Sequence, residues 1–107
     1  MLEKVVLPDG IAEIVDSLFS GCYTLTEIVI PKSVTMVSRY SFENCQCMKR
    51  YYFLSDLPPE LATTGTFLGL PKDCKLYVLK GKLDVYQTAE SWSDYASYMV
   101  EMEGDIP

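Results

Sequence analysis

The sequence predicts an α/β solenoid, a short stack of coils that each add one strand to a parallel β-sheet, closed at its C-terminal end by a helix and a strand. Three observations lead there. Leu2, Val5, Leu7, Pro8, Ile11, Ile14, Phe19 and Cys22 are answered 23 residues later by Leu25, Ile28, Ile30, Pro31, Val34, Val37, Phe42 and Cys45. A fixed period of this length is the mark of stacked supersecondary units that bury a shared face. Each unit opens on a short β-prone run ended by proline, and the period then breaks toward the C-terminus as it does in a terminal cap.

Taken in order, Leu2 to Pro8 is the first strand, rich in Val and Leu, and Pro8 stops the pairing because it has no amide donor. Asp9 and Gly10 turn the chain, and Ile11 and Ile14 return apolar groups to the interior from the far side of the coil. Asp16 or Ser17 caps a single helical turn that brings Phe19 inward. Leu25 to Pro31, Val34, Val37 and Phe42 repeat the scheme. A third unit opens in register at Met48, Tyr51 and Phe53; Leu57-Pro58-Pro59 stiffens its return path, and its Phe arrives at 67, two positions late. Cys74 to Leu79 alternates as another strand. Gly81 to Ala89 has helical spacing, with Leu83, Tyr86 and Ala89 on one face. Ser91-Trp92-Ser93-Asp94 reads as a capping box, and Tyr98 to Met102 as a last short strand. The predicted organisation is one domain, with repeats at 1–24 and 25–47, a divergent repeat at 48–70, a cap at 71–103 and a tail at 104–107.

At 107 residues and 12.1 kDa the chain is long enough to bury a core without disulfides or metals. Nine Lys and Arg against fifteen Asp and Glu leave a net charge of −6, a surface that repels phosphate backbones and anionic headgroups. Nucleic acid is therefore not an expected partner, and no apolar run reaches the roughly 18 residues that a membrane span needs. No basic and apolar leader follows Met1, so two readings stay open: a cytoplasmic start, or a chain trimmed of what preceded it. Cys22 and Cys45 share a repeat slot and are expected to stack as buried free thiols rather than disulfides.

The spacing Leu2-x-x-Val5-x-Leu7-Pro8 with Phe19-x-x-Cys22, and Leu25-x-x-Ile28-x-Ile30-Pro31 with Ser41-Phe42-x-x-Cys45, resembles the BspA-like leucine-rich repeats. The closing stretch is similar to that family's C-terminal end, in Phe67-Leu68-Gly69-Leu70-Pro71, Cys74-Lys75-Leu76-Tyr77-Val78, Tyr86, Trp92 and Tyr95. Leu18, Val15, Ser38 and Leu79 depart from the pattern and put local turn geometry in question. The resemblance implies a curved, right-handed leucine-rich-repeat solenoid. It also implies a bacterial cell-surface or secreted origin and a role in binding other macromolecules, with no catalytic residues.

The residues themselves agree with a non-enzyme. There is no histidine, the commonest general base, and no evident activating base beside the thiols. Cys22, Cys45, Cys47 and Cys74 lack the paired C-x-x-C spacing of a zinc site, and no cofactor is implied. The informative positions point outward from the strands: Lys4, Glu27 and Arg50 form one column, and Val6, Val29 and Tyr52 the next. With Pro8, Pro31 and Leu54 at its margin, this exposed apolar stripe is either a surface for a protein partner or simply the β-branched residues that strands favour. The first coil has nothing before it, so the underside of Leu7, Ile11, Ile14 and Phe19 is expected to be exposed and to drive self-association. The expected function is a protein-interaction module; its rivals are a structural end piece of a longer array and a sugar-binding surface built on Tyr23, Tyr40, Tyr52 and Tyr98.

Overall fold

Residues 3–62 and 65–103 are described by the computed structural model, so the predicted tail at 104–107 and position Leu2 lie outside the described residues. Strands run at β1 (Glu3–Val6), β2 (Glu13–Ile14), β3 (Leu25–Ile30), β4 (Met36–Val37), β5 (Arg50–Phe53), β6 (Glu60–Leu61) and β7 (Lys75–Val78). Helix α1 (Leu83–Thr88), a 3-10 helix over Ser93–Tyr98 and β8 (Met99–Glu101) follow. Two parallel sheets result, one ordered β1-β3-β5-β7-β8 and the other β2-β4-β6. The 23-residue offset is the pairing register: Val5 lies beside Ile28, Ile28 beside Tyr51, and Ile14 beside Val37. Parallel sheets with few helices, paired in this way, are consistent with a leucine-rich-repeat type of fold. The second sheet's short strands were not foreseen as strands, because two-residue segments carry no alternation to read.

A third side of each unit, from 16 to 21 and again from 39 to 44, is built of successive turns rather than the expected capped helical turn. The physical reason is backbone conformation. Ser17 and Tyr40 take φ of 58° and 57°, outside helical space, and the Ser17 amide donates to the Arg39 carbonyl of the next unit at 3.1 Å instead of entering a helix. Phe19 N donates to Ser41 O at 2.9 Å and Gly21 N to Glu43 O at 2.8 Å, and Phe42 N and Asn44 N repeat this toward Thr66 O and Leu68 O. Turns thereby satisfy their amides across units, as the strands do. Gly69 has φ of 82°, a left-handed conformation that a residue with a Cβ adopts only with strain, and its backbone lies close beside Asn44.

Inside these walls the equivalent phenylalanines stack. Phe19 and Phe42 lie 5.5 Å apart and 2° from parallel, Phe42 and Phe67 5.7 Å apart and 7° from parallel, and Tyr51 meets Phe42 and Phe67 edge-on. Each such ring stabilises by about 1.5–3 kcal/mol through burial alone. The late arrival of Phe67 has a definite location. Ile30 pairs with Phe53 at an offset of 23, Val37 with Leu61 at 24, and Phe42 N bonds Thr66 O, one residue short of its stacking partner Phe67. One extra residue thus enters before β6 and one after it, and Tyr51 pairs with Leu76 at the new offset of 25.

Helix α1 buries Tyr86 and packs Leu83 and Ala89 against the core, as its spacing predicts. The capping box does not form. Ser91 sits at φ 69°, so the residue that enters the 3-10 helix is Trp92 instead, which has no side-chain hydroxyl or carboxylate to cap it, and the amides of Trp92 and Ser93 both donate to Ala89 O at 3.1 Å. Trp92 and Tyr86 are fully buried with their polar atoms paired, Trp92 Nε1 donating to Pro59 O at 2.7 Å and Tyr86 Oη to Ser55 O at 3.0 Å. At the other end, Leu7, Ile11 and Phe19 are half-buried, but the expected exposure of Ile14 is overturned: it is 0% exposed, because β2 lays it beside Val37 within the main core. Phe42→Ala is expected to lower the free energy of unfolding by about 3–5 kcal/mol, and Phe19→Ala by clearly less, since its ring is only half-buried. Urea denaturation of the two variants checks this, and equal losses would contradict a stack that is covered most fully at its centre.

Candidate interaction surface

The outward face of the larger sheet is assembled by register. Lys4, Glu27, Arg50 and Lys75 pair in sequence across β1, β3, β5 and β7, and Val6, Val29, Tyr52, Tyr77 and Val100 continue across all five strands. Two residues further along each strand come Pro8, Pro31, Leu54, Leu79 and Met102, where the strands end. Because successive side chains of a strand alternate between faces, these positions share one side, opposite the main core.

The structure corrects the expected exposure of this face. Val6 is 62% exposed, but Val29 is 3% and Tyr52 7% exposed. Val29, Tyr52 and Met102 form a second apolar cluster, with Leu54, Tyr77 and Leu79 packed against it. The cause is the close spacing of parallel strands, which lets large neighbours cover one another. Tyr52 and Tyr77 stack at 5.0 Å and 17°, and the segment after β8, held by the Met102 amide on Val78 O at 2.8 Å, brings Met102 over them. Sequence reasoning left Lys75, Tyr77 and Met102 out of these columns, which it ended at Arg50 and Tyr52, where the third unit departs from the period.

Charge in the first column is locally organised. Arg50 and Glu27 approach to 3.5 Å, and the Tyr52 hydroxyl donates to Glu27 Oε1 at 3.3 Å. Burial, and then the neighbouring Glu27 carboxylate, push the Tyr52 phenol above its ordinary range, so it remains a neutral donor. Among the described residues neither Lys4 nor Lys75 has an ion-pair partner. Beside the covered cluster an open groove of about 540 Å³ remains, lined chiefly by Val6, Leu7, Pro8, Pro31, Leu54 and Leu79, together with Val29, Asp9 and Lys32. Its lining is mainly apolar and its volume leaves room for a few side chains.

The thiols are elsewhere. All four cysteines are free: Cys45 and Cys74 are buried, Cys47 is exposed, and Cys22 is half-buried rather than buried as expected, because it belongs to the first unit and is covered from one side. Burial pushes the Cys45 thiol up to about 11 and Cys74 to about 12, and Cys45 Sγ donates to Phe19 O at 3.1 Å. Among the described residues no three His, Cys, Asp or Glu side chains converge as metal ligands, and no helix is long and apolar enough to cross a membrane.

A register of 23, strand-ending prolines and a phenylalanine ladder are the signature of one repeat class, and a family model for it, the BspA type leucine rich repeat region (6 copies), matches residues 1–61. The chain belongs to that family. Leucine-rich repeats of this kind serve generally as protein-interaction modules rather than enzymes. The match covers the units up to β6, while the similarity read in the closing stretch lies beyond it. Comparison with curated proteins returned no match.

The raised thiols fix a sign for the pH dependence of this repeat protein. Both are held in the uncharged form by the fold, so their contribution is complete below the ordinary thiol value of 9.0 and is lost as pH rises through that value toward 11 and 12. Denaturation midpoints are therefore expected to fall between about pH 8 and pH 10.5, less steeply in Cys45→Ala. Iodoacetamide at neutral pH should label Cys47 first, with Cys45 and Cys74 reacting only on unfolding.

Proposed function

We propose that this leucine-rich-repeat chain is a solenoid serving as a non-catalytic protein-interaction module, and that its partner docks on the outward face of the larger sheet. The units run over 1–24, 25–47 and 48–70, followed by a cap at 71–103 and the tail at 104–107. In line with the family resemblance, we place it in a bacterial cell-surface or secreted protein. The single observation that carries the reading is the apolar groove beside Lys4, Glu27, Arg50 and Val6, where two side-chain columns and the strand-ending prolines line up across the sheet. Val29 and Tyr52 act as its packed floor rather than as direct contacts, since both are covered. The sugar-binding alternative has less behind it: the Tyr52 ring is taken up by Tyr77, whereas only Tyr23 and Tyr40 of the large exposed apolar residues offer free aromatic surface.

Val6→Asp and Leu54→Asp introduce a charge into the groove and are expected to reduce capture of a partner from the source organism's extract by at least about tenfold while circular dichroism stays unchanged. Capture that persists in both variants places the docking surface elsewhere.

A second reading is supported by the half-buried Val5, Leu7, Ile11 and Phe19 beside the outer edge of β1. A further unit of the same pattern fits there, from a longer array in which this chain is a structural end piece, or from a second copy when these residues are isolated. Light scattering over a concentration series is expected to show self-association that Val5→Lys suppresses; a monomer at every concentration speaks against the second copy.

A further inference from the structure

The groove and the charged column beside it are two rows that run in the same direction, across the strands, and they differ in chemistry. One row is Pro8, Pro31, Leu54 and Leu79 with the exposed Val6. The other holds Lys4, Arg50 and Lys75, all exposed, against the single Glu27 carboxylate that Arg50 already engages. In a protein whose net charge is −6, this cationic row is a local reversal of sign. Resting on the docking reading above, we infer that the partner element is an amphipathic α-helix with one acidic flank, lying across the strands with its apolar stripe in the groove and its carboxylates over Lys4, Arg50 and Lys75.

Dimensions favour a helix over an extended strand. Position 4 and position 8 of the first unit are four residues apart, so the rows lie roughly 13 Å from one another, which an extended chain with its single facing row does not bridge. A helix with side chains is about 10–12 Å across and places two adjacent faces on the two rows. Its axial repeat matches as well. Lys4, Arg50 and Lys75 sit on the first, third and fourth strands in spatial order, at about 0, 9.6 and 14.4 Å along the sheet. Helix positions i, i+7 and i+11 fall at about 0, 10.5 and 16.5 Å, on one face, so three carboxylates at that spacing come within about 2 Å of the three cations, a gap that long Lys and Glu side chains take up. The acidic remainder of the protein repels such a helix and steers it to this face.

The test uses the whole chain and three synthetic peptides of about 18 residues with a common leucine stripe and, along one flank at i, i+7 and i+11, Glu, Gln or Lys. By fluorescence anisotropy at low salt the Glu peptide is expected to bind at least about tenfold more tightly than the Gln peptide, with the Lys peptide weakest, and the preference is expected to shrink in high salt. Lys4→Glu with Lys75→Glu, both exposed positions, should reverse the order of the Glu and Lys peptides while Val6→Asp weakens all three. Equal binding of the three, still weakened by Val6→Asp, overturns the acidic flank and leaves the sheet face as the docking surface. Binding of none, together with partner capture that Val6→Asp does not touch, overturns both readings. An acidic peptide that binds equally well to the Lys4→Glu, Lys75→Glu variant also overturns the proposal.

Discussion

Everything in this molecule depends on equivalent side chains lying directly above one another. A ring such as Phe42 has its two faces covered by Phe19 and Phe67, at 5.5 and 5.7 Å, only because the backbone repeats its path at the strand spacing. Neither phenylalanine could bury a face in its own unit, since a unit of this size has no second layer. The same registration supplies the backbone hydrogen bonds on all three sides, through two sheets and through the turn amides of Ser17, Phe19 and Gly21. Packing and hydrogen bonding therefore reinforce one another, and a shift of one would break both.

The larger sheet packs apolar side chains on both of its faces. One face holds the main core. On the other, Val29, Tyr52 and Met102 form a smaller cluster supported by Leu54, Tyr77 and Leu79. Tyr52 and Tyr77 stack within it at 5.0 Å, so these side chains hold one another in place. What stays open is the margin, where Val6 and the strand-ending Pro8 lie beside the Lys4 column. Apolar and cationic side chains thus lie near one another on one face of a protein whose net charge is −6.

The departures from strict repetition fall between β5 and β7. Two single-residue insertions, one on each side of β6, change the offset from 23 to 25, and Phe67 still reaches the ladder. Past that point Tyr86 and Trp92 close the core, each with its polar atom bonded to a carbonyl of the third unit's return path, Ser55 O and Pro59 O. Large aromatic residues with a polar tip suit this position, since they fill the end of a core and still satisfy buried backbone groups.

By itself the sequence determined the repeat, and with it which residues share a ladder: the slots of Val5, Ile28 and Tyr51, of Phe19 and Phe42, and the helix that buries Tyr86 were legible from spacing and residue type. Spacing is a property of the chain, so it survives without coordinates. The tertiary structure alone decided what depends on neighbours brought together from different units. Val29 and Tyr52 are strand residues on an outward face in either account, and they are covered in a cluster that Tyr77 and Leu79 of β7 and Met102 after β8 complete. Ser17 and Tyr40 look like helix-turn positions but take left-handed turns, Ser17 with its amide bonded to Arg39 O across the stack. Burial and turn conformation are set by the partner as much as by the residue, and the partner's place is fixed only when the stack closes.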